Sequence, residues 1–446
     1  MADRTLSVWQ VASLLVSTSC GIGFLLGTGE LALHQGMAAC LYAVATAAGL
    51  LALAFAAPRF WKTGQSIWAH FDMLYGPTVS QQVALLSLIW MTGVLSAQIR
   101  GASSMLALSG MPHTASIITI DCLVIGLSFM RLSWLSGLFA FCMCGCNVLL
   151  AYVLIRIHSL TAWLHAPASF VGSIRAQPDV HVGLTLLSVI AMVVCGADYQ
   201  QFPIDARTPT GARMGCLIAA AIVFVMGFLP ALTVIASAGL WHLGTLPDPV
   251  QVVPRLLVLS LGTSSRIAPV IVVSILLTTA LGSACSILRA MTEATATLPY
   301  GSRFPSAIHR TLPICAATVV ALHGQSMIDT MVTLNVVYLA AVGPVFGLTL
   351  FGLQISDRAA RHSMLTGLII ASTCLLIEWT RTAHIPEWIT LTIAWPCALT
   401  IALRSRISAN ASNYSGIRAS RWTNTHMDNH SAASPSPDSD IARSSG

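Results

Sequence analysis

Apolar residues recur along this chain in long runs that are separated by short polar connections. An α-helix needs about 20 apolar residues to cross the hydrocarbon core of a bilayer. Twelve runs meet this length, and together they predict an all-α, polytopic membrane protein. The predicted spans cover residues 7–34, 36–57, 80–108, 113–130, 133–156, 181–203, 211–239, 266–292, 306–323, 327–354, 362–379 and 385–403.

The first span contains a polar interruption at membrane depth. Val8 to Leu15 is ordinary apolar sequence, but residues 17–23, STSCGIG, bring hydroxyls and glycines together before apolar sequence resumes at Phe24. Glycine lowers helix propensity by about 1 kcal/mol, and Ser and Thr side chains compete for backbone hydrogen bonds. We therefore expect the helix to open here and to form half of a solute and ion site, since lipid tolerates open backbone only where it lines a cavity. The alternative is a continuous helix that uses small residues for close packing.

A second interruption lies five spans later. Residues 193–201, VVCGADYQQ, place a glycine, a carboxylate and two amides inside the sixth apolar run. Breaks in the first span and the sixth are typical of transporters built from inverted repeats. The prediction of an inverted repeat depends on the hydropathy and on the placement of the breaks alone. The two halves of the predicted repeat show no clear residue identity.

The connections divide the chain further. Residues 64–76 and 248–261 have the pattern of short amphipathic helices, the first of them interfacial. After Leu403 the sequence becomes rich in Ser, Asn, Arg and Pro, so a disordered cytoplasmic tail is expected. The predicted organisation is a ten-helix transporter core over residues 1–355, two additional transmembrane helices over 356–403, and the tail over 404–446.

Composition and charge support a membrane protein. The chain is 55% hydrophobic and 9% charged, whereas soluble domains are about 25% charged. The basic residues occur singly between apolar runs, which argues against a nucleic-acid partner. The 12 cysteines lie mostly within apolar segments and are interpreted as core residues, including the cluster at residues 142–146. With the N-terminus inside, and leaving out Arg100 within a span and three basic residues of the distal tail, thirteen Lys and Arg fall on the cytoplasmic side and five outside, so both termini are predicted to be cytoplasmic.

Several segments resemble the sodium/solute symporter family, which has a five-plus-five inverted-repeat fold. The resemblance covers about residues 8 to 355 and depends on the order and spacing of motifs that are each weak alone. These motifs are GFLLGTGE at 23–30, APRFWKTGQSIWAHFDMLYG at 57–76, LSAQIRGAS at 95–103, ADYQQFPIDART at 197–208 and LLTTALGSACSILRAMT at 276–292.

The resemblance implies a sodium ion between the first and eighth spans. Carbonyls near Thr18 and Gly21 would come from the first span, and the hydroxyl pair of the eighth span falls on Gly282 and Ser283. Sodium is a hard cation that suits such oxygen ligands. Glycine removes one of the two hydroxyls, but Thr279, Ser283 and Ser286 share one helix face and provide a rearranged oxygen set. Proton-coupled and uncoupled transport stay open, and the alternative role of these hydroxyls is bonding between helices.

Asp198 is the most informative candidate for binding the solute. An ionisable group within a span is costly and is by default a functional candidate, here for an amine or for a proton. The alternative is that Asp198 caps a helix end or pairs with Arg207. The other candidate substrate-binding residues are Ser19 and Phe24 at the first break, Gln201 after the second, Gln98 on the third span, and Asn335 and Tyr338 on the tenth.

These features favour a secondary active transporter that moves a small polar organic solute by alternating access, with sodium as the expected coupled ion. A membrane enzyme is disfavoured because the spans show no nucleophile and base pair and no metal-binding motif. A sensor that binds without transport remains the rival. The expected partners are the solute and the lipid bilayer, the expected location is the bacterial inner membrane, and the oligomeric state is open.

Overall fold

The structure is a computed structural model that describes residues 4–404 apart from 109, 131, 247, 263–266, 300–302, 304, 323–326, 354 and 381–386. The predicted tail therefore lies outside the described residues, except for Arg404. The described chain is almost entirely helical. Its α-helices are α1 (Val8–Ser19), α2 (Ile22–Gln35), α3 (Leu41–Thr63), α4 (Ile67–Tyr75), α5 (Pro77–Leu108), α6 (His113–Ser128), α7 (Leu132–Arg156), α8 (Leu160–Ile174), α9 (Asp179–Cys195), α10 (Ala197–Ile204), α11 (Pro209–Met226), α12 (Leu229–Trp241), α13 (Val252–Leu261), α14 (Ala268–Thr297), α15 (Ser306–Ala321), α16 (Met327–Leu350), α17 (Asp357–Trp379) and α18 (Glu387–Arg404).

Each of the twelve predicted spans contains a helix. Seven helical stretches of the described chain are long and apolar enough to cross a membrane, or eight if the bent pair α9 and α10 counts as one span. One of these stretches, residues 22–63, has 42 residues, which is about twice the length that one crossing needs. It covers α2, a short 3₁₀ turn and α3, and its backbone leaves the helical conformation at Gly36, where φ is 57°. Large apolar side chains such as Phe55, Phe141 and Leu164 are exposed, as expected for a multi-pass protein whose outer surface faces lipid.

The short helices between the spans agree only in part with the sequence pattern. The two amphipathic pieces are present as α4 and α13. The sequence analysis did not anticipate α8, which lies between the fifth and sixth spans. It has 15 residues and contains Pro167, so it falls short of the length that marks a span. The predicted seventh span is two helices, α11 and α12, which meet at Gly227 and Phe228.

Helix packing brings the broken spans into the centre of the molecule. α3 packs on α11 and α9, while α5 packs on α14 and α16. α1 contacts α7, α10, α11 and α14, and α10 in turn contacts α3, α9, α11 and α14. The interior ends of the two broken spans therefore lie beside each other and beside α14.

Candidate functional site

The first span is broken where the sequence predicts. α1 ends at Ser19, Cys20 and Gly21 are not helical, and α2 begins at Ile22. Gly21 has an extended conformation with φ −56° and ψ 173°. The Ser19 hydroxyl donates to the carbonyl of Leu15 at 2.7 Å, a local bond of the kind that competes with helix continuation. The predicted opening is confirmed.

The sixth span is broken at Gly196, between α9 and α10, and the two helices meet at an angle of 46°. Side chains supply hydrogen bonds to the carbonyls that the break releases. The Tyr338 hydroxyl donates to the carbonyl of Cys195 at 3.0 Å, and the Gln200 amide donates to that of Val194 at 2.7 Å. Tyr338, on α16, is fully buried, so in this conformation it braces the break.

The two breaks meet on α14. The Thr18 and Ser286 hydroxyls are 3.2 Å apart, which joins the end of α1 to α14. The Gln201 amide on α10 donates to the carbonyl of Asp198 at 2.8 Å and to that of Ser286 at 3.4 Å. One turn of α14 therefore touches both broken spans, which is the arrangement expected of a site between inverted repeats.

Gly21 permits a close approach between the first break, α5 and α14. A methyl group on Gly21 would lie 2.7 Å from Ser283 Oγ and 2.8 Å from Gln98 Nε2. Gln98 also accepts a hydrogen bond from the backbone N–H of Gly23 at 3.3 Å. Gly21 has no side chain with which to cap α2. The side-chain amide of Gln98, which lies on α5, caps α2 instead. Gln98 is thus part of the first break.

The predicted sodium residues are mostly brought together. Thr18, Gly21, Ser283 and Ser286 lie within one contact region, and the buried Ser283 hydroxyl has no hydrogen-bond partner among the described residues. Thr279 is one turn away on α14, where its hydroxyl donates to the carbonyl of Ile275 at 2.9 Å. An unpaired hydroxyl beside an opened helix is an oxygen donor that a hard cation would satisfy.

The glycine at the expected second hydroxyl position has a structural reason. A methyl group on Gly282 would lie 2.6 Å from Cγ of Phe139, a buried residue of α7. The aromatic ring therefore occupies the space in which a serine or threonine side chain would stand. Compared with the hydroxyl pair that the family resemblance implies at residues 282 and 283, α14 has one hydroxyl fewer. The Phe139 ring of α7 fills the space of the missing side chain.

The candidate solute residues surround the same breaks. Asp198 is buried in the first turn of α10, and Phe24 lies in the first turn of α2 with its ring centroid 6.1 Å from that of Tyr42. Asn335 is buried one turn from Tyr338 on α16, and its Oδ1 has no partner in the described part of the chain. The suggested pairing of Asp198 with Arg207 is not formed, because the Arg207 guanidinium donates to the carbonyl of Thr5 at 2.9 Å.

A cavity of about 160 Å³ lies between several helices, and none of the candidate solute residues is among the residues that line it. Tyr42 is one of its walls, together with apolar side chains from α2, α3, α9, α16 and α18 and a few polar groups. Tyr42 was not identified from the sequence, and neither were Trp90 and Tyr199. The available signal was weak: Tyr199 follows Asp198 directly, whereas Tyr42 and Trp90 are single aromatic residues within apolar runs.

The N-terminal segment ties the two broken spans together at one end. Leu6 forms a β-bridge with Ala206, with hydrogen bonds from Leu6 N–H to the carbonyl of Asp205 and from Arg207 N–H to the carbonyl of Leu6, both 3.0 Å. The Arg4 guanidinium lies 4.0 Å from the ring centroid of Trp61. The entry into α1 is thereby fixed to the chain that leaves α10.

Solved structures with similar architecture are transporters. A Na⁺-coupled sialic acid symporter in a substrate-bound outward-open state is 12% identical, with 90% of this chain and 89% of that chain covered and a TM-score of 0.71. Mhp1, a nucleobase-cation-symport-1 family transporter in a closed conformation with bromovinylhydantoin bound, is 14% identical, with coverage of 90% and 92% and a TM-score of 0.57. MhsT in complex with L-phenylalanine is 13% identical, with coverage of 91% and 100% and a TM-score of 0.55.

No protein-family model and no curated protein matches the sequence. The likeness to solved structures extends over nine-tenths of the chain, although few residues are shared. It confirms the predicted fold, including the two broken helices that the residues themselves indicated. The chain therefore has the inverted-repeat transporter fold that Na⁺-coupled symporters adopt.

Proposed function

We propose that this protein is a secondary active transporter that carries a small polar organic solute across the bacterial inner membrane by alternating access. The observation that carries the proposal is the meeting of two opened helices on one turn of α14, with buried polar atoms on all three segments that have no hydrogen-bond partner within the described chain. Ser17, Ser283 and Asp198 each have a side-chain oxygen of this kind. Such atoms are costly in a membrane interior unless water, an ion or a solute satisfies them.

Alternating access requires that one group of helices moves against another around a fixed site. The broken spans suit this motion because each half-helix can tilt separately about its extended residues, Gly21 or Gly196. Residues 1–355 would form the ten-helix core in which one helix bundle moves against the other, and α17 and α18 would be additional helices outside it. Both termini would face the cytoplasm, where positive charge is concentrated.

Sodium is the proposed coupling ion. Main-chain carbonyls at the first break and the hydroxyls of Thr18, Ser283 and Ser286 provide the oxygen ligands that a hard cation prefers. When bound, the ion would supply positive charge that holds α1 and α14 together. Because ion and solute would favour the same conformation, each would strengthen the binding of the other by the same factor.

The direct test uses purified full-length protein. A library of small solutes is screened by thermal unfolding, with sodium or with potassium as the cation, because a ligand that binds the native state raises its apparent stability. Solutes that stabilise the protein are then tested for uptake into proteoliposomes under a sodium gradient. We expect at least one solute whose binding and uptake both require sodium, and Ser283→Ala should weaken the sodium effect.

Different results would separate the alternatives. A solute that binds but is never taken up would favour a sensor that uses the fold without transport. Uptake that follows a proton gradient and ignores sodium would refute sodium coupling while transport itself is retained. A protein that binds no solute under any of these conditions would contradict the proposal as a whole.

A further inference from the structure

Among the described residues, Asp198 is a buried acid without an acidic or basic partner. The residue is 1% exposed, and neither of its carboxylate oxygens meets another side chain at hydrogen-bond geometry in the part of the chain that is described. The carboxylate folds back over the second break, because a methyl group on Gly196 would lie 2.7 Å from Asp198 Oδ1. The nearest donors are backbone N–H groups of Asp198 itself and Tyr199 in the first turn of α10.

Aromatic side chains lie near this carboxylate at the second break. The Tyr199 ring and the carboxylate both lie over Gly196, where an added methyl group would be 3.1 Å from Tyr199 Cδ2, and the Tyr338 hydroxyl bonds to the carbonyl of Cys195 next to it. The phenol of Tyr42 also interacts electrostatically with Asp198. Trp90 extends the aromatic wall, with its ring centroid 6.2 Å from that of Tyr338, and the buried Trp90 indole N–H has no partner among the described residues. The site thus combines one carboxylate with several aromatic groups from four different helices.

The first turn of a helix stabilises a negative charge by about 0.3–1 kcal/mol, and up to about 2 kcal/mol in buried positions. Burying an ion costs several kcal/mol, so the helix alone does not compensate the carboxylate. A positive charge next to Asp198 would compensate the buried carboxylate. The aromatic groups distinguish between cations, because an organic ammonium gains from contact with ring faces whereas metal ions favour several oxygen or nitrogen ligands. No group of three His, Cys, Asp or Glu side chains suited to a metal occurs within the described residues.

The cavity described above is connected to this carboxylate through Tyr42. Tyr42 belongs to the cavity wall and also interacts electrostatically with Asp198, whereas Asp198 itself is not among the wall residues. Most other wall residues are apolar, among them Leu31, Ile328 and Val332. A ligand with its charge at Asp198 would therefore have to displace the Tyr42 side chain to place an apolar body in the cavity.

We propose that Asp198, with the phenols of Tyr42, Tyr199 and Tyr338, recognises the positively charged nitrogen of the solute. The substrate class is then small organic cations, either protonated primary amines or quaternary ammonium ions, with an apolar body. This inference rests on the proposed function, since it places the transported solute at the second break.

The test compares ligands of one shape and different charge. Amines and quaternary ammonium compounds with alkyl or aryl bodies of four to ten carbons, 2-phenylethylamine among them, are each matched with the alcohol and the carboxylate of corresponding skeleton. Binding to purified full-length protein is measured by calorimetry and thermal unfolding. We expect some amines to bind, and their alcohol and carboxylate counterparts to bind at least tenfold more weakly.

Asp198→Asn keeps the size of the side chain and removes its charge. A hydrogen bond to a charged group contributes about 1.5–3 kcal/mol, so the amine dissociation constant should rise about tenfold to a hundredfold. Asp121→Asn is the matched control, because Asp121 is the carboxylate of α6 that accepts a hydrogen bond from Thr318 at 2.8 Å, away from the breaks. The control should leave amine binding unchanged.

Three results would overturn the inference: alcohols that bind as tightly as the amines, unchanged amine affinity in Asp198→Asn, or loss of a sodium effect in that variant with amine binding retained. If Asp198→Asn does not fold, the charge series on the unmodified protein decides. Uptake of a neutral or anionic solute that is insensitive to Asp198→Asn would refute the substrate class and leave transport standing. Amine binding that depends on Asp198 without any uptake would refute transport and leave the substrate class standing.

Discussion

Replacing Gly21 with alanine adds one methyl group at the point where the first break, α5 and α14 meet. Alanine adopts φ −56° and ψ 173° without strain, so the substitution tests steric contact alone. The new methyl would lie 2.7 Å from Ser283 Oγ and 2.8 Å from Gln98 Nε2, whereas ordinary contacts begin near 3.4 Å. The neighbouring helices would have to separate, and the break would have to shift with them.

Inserting a methyl group into a tightly packed site costs about 1–3 kcal/mol. A penalty of this size on the conformation described here changes its population relative to others by about 5-fold to 150-fold. We expect Gly21→Ala to lower the thermal stability of the purified protein and to weaken any stabilisation by sodium. The reason is that the methyl group pushes against the hydroxyl that we propose as an ion ligand.

Gly126→Ala is the matched control for this substitution. Gly126 lies inside α6, and a methyl group there would meet no atom within 4 Å. Alanine favours a helix over glycine by up to about 1 kcal/mol, so the control should be as stable as the unmodified protein or more stable. If Gly21→Ala behaves like the control in thermal unfolding and in its response to sodium, the close approach of α1 and α14 is not a feature of the working protein.

Three further predictions follow from other contacts. Gly282→Ala should lower the temperature of thermal unfolding, because its methyl group would lie 2.6 Å from the Phe139 ring, and the same substitution should cost less stability in a Phe139→Ala background than in the unmodified protein. Arg4→Ala should speed hydrogen exchange of the amides in the β-bridge by removing the cation that rests on Trp61; unchanged exchange would show that the bridge holds without it. Burial lowers the pKa of His70 in α4 from its ordinary value of 6.5, so the folded state binds fewer protons, and stability should fall as pH drops below about 6.5; His70→Gln should reduce that dependence in thermal unfolding measured from pH 5 to 8.

The helices and both breaks could be predicted because their causes are local. Length and apolarity define a span, and the glycine and hydroxyl content of residues 17–23 weakens a helix whatever surrounds it. The same holds for Gly196, which precedes an acid in the sixth span. α8 was missed because a segment of 15 residues that mixes apolar and polar positions and contains a proline satisfies no rule for a span.

The contacts between distant segments could not be predicted in this way. Gly282 was interpreted as the loss of an ion ligand, and only the position of Phe139, on α7, shows why glycine stands there. The aromatic groups around Asp198 come from segments far apart in sequence, and no spacing rule relates Tyr42 to Tyr338. Sequence patterns locate the elements of this site, whereas its chemistry depends on which side chains the helix packing brings together.

Gln201 connects the proposed sodium ion near α1 and α14 with the proposed ammonium group at Asp198. Its amide donates to the carbonyl of Asp198 on α10 and to the carbonyl of Ser286 on α14, while the hydroxyl of Ser286 lies beside that of Thr18. A cation among those hydroxyls and an ammonium at Asp198 would therefore each act on a carbonyl that this one amide nitrogen contacts. Each ligand would fix the spacing of α10 and α14 that the other requires, and coupling between two ligands is such a shared preference for one state. On our proposal, the neutral oxygen set near α1 and the single acid of α10 would be two sites joined by one amide rather than one site with a mixed set of ligands.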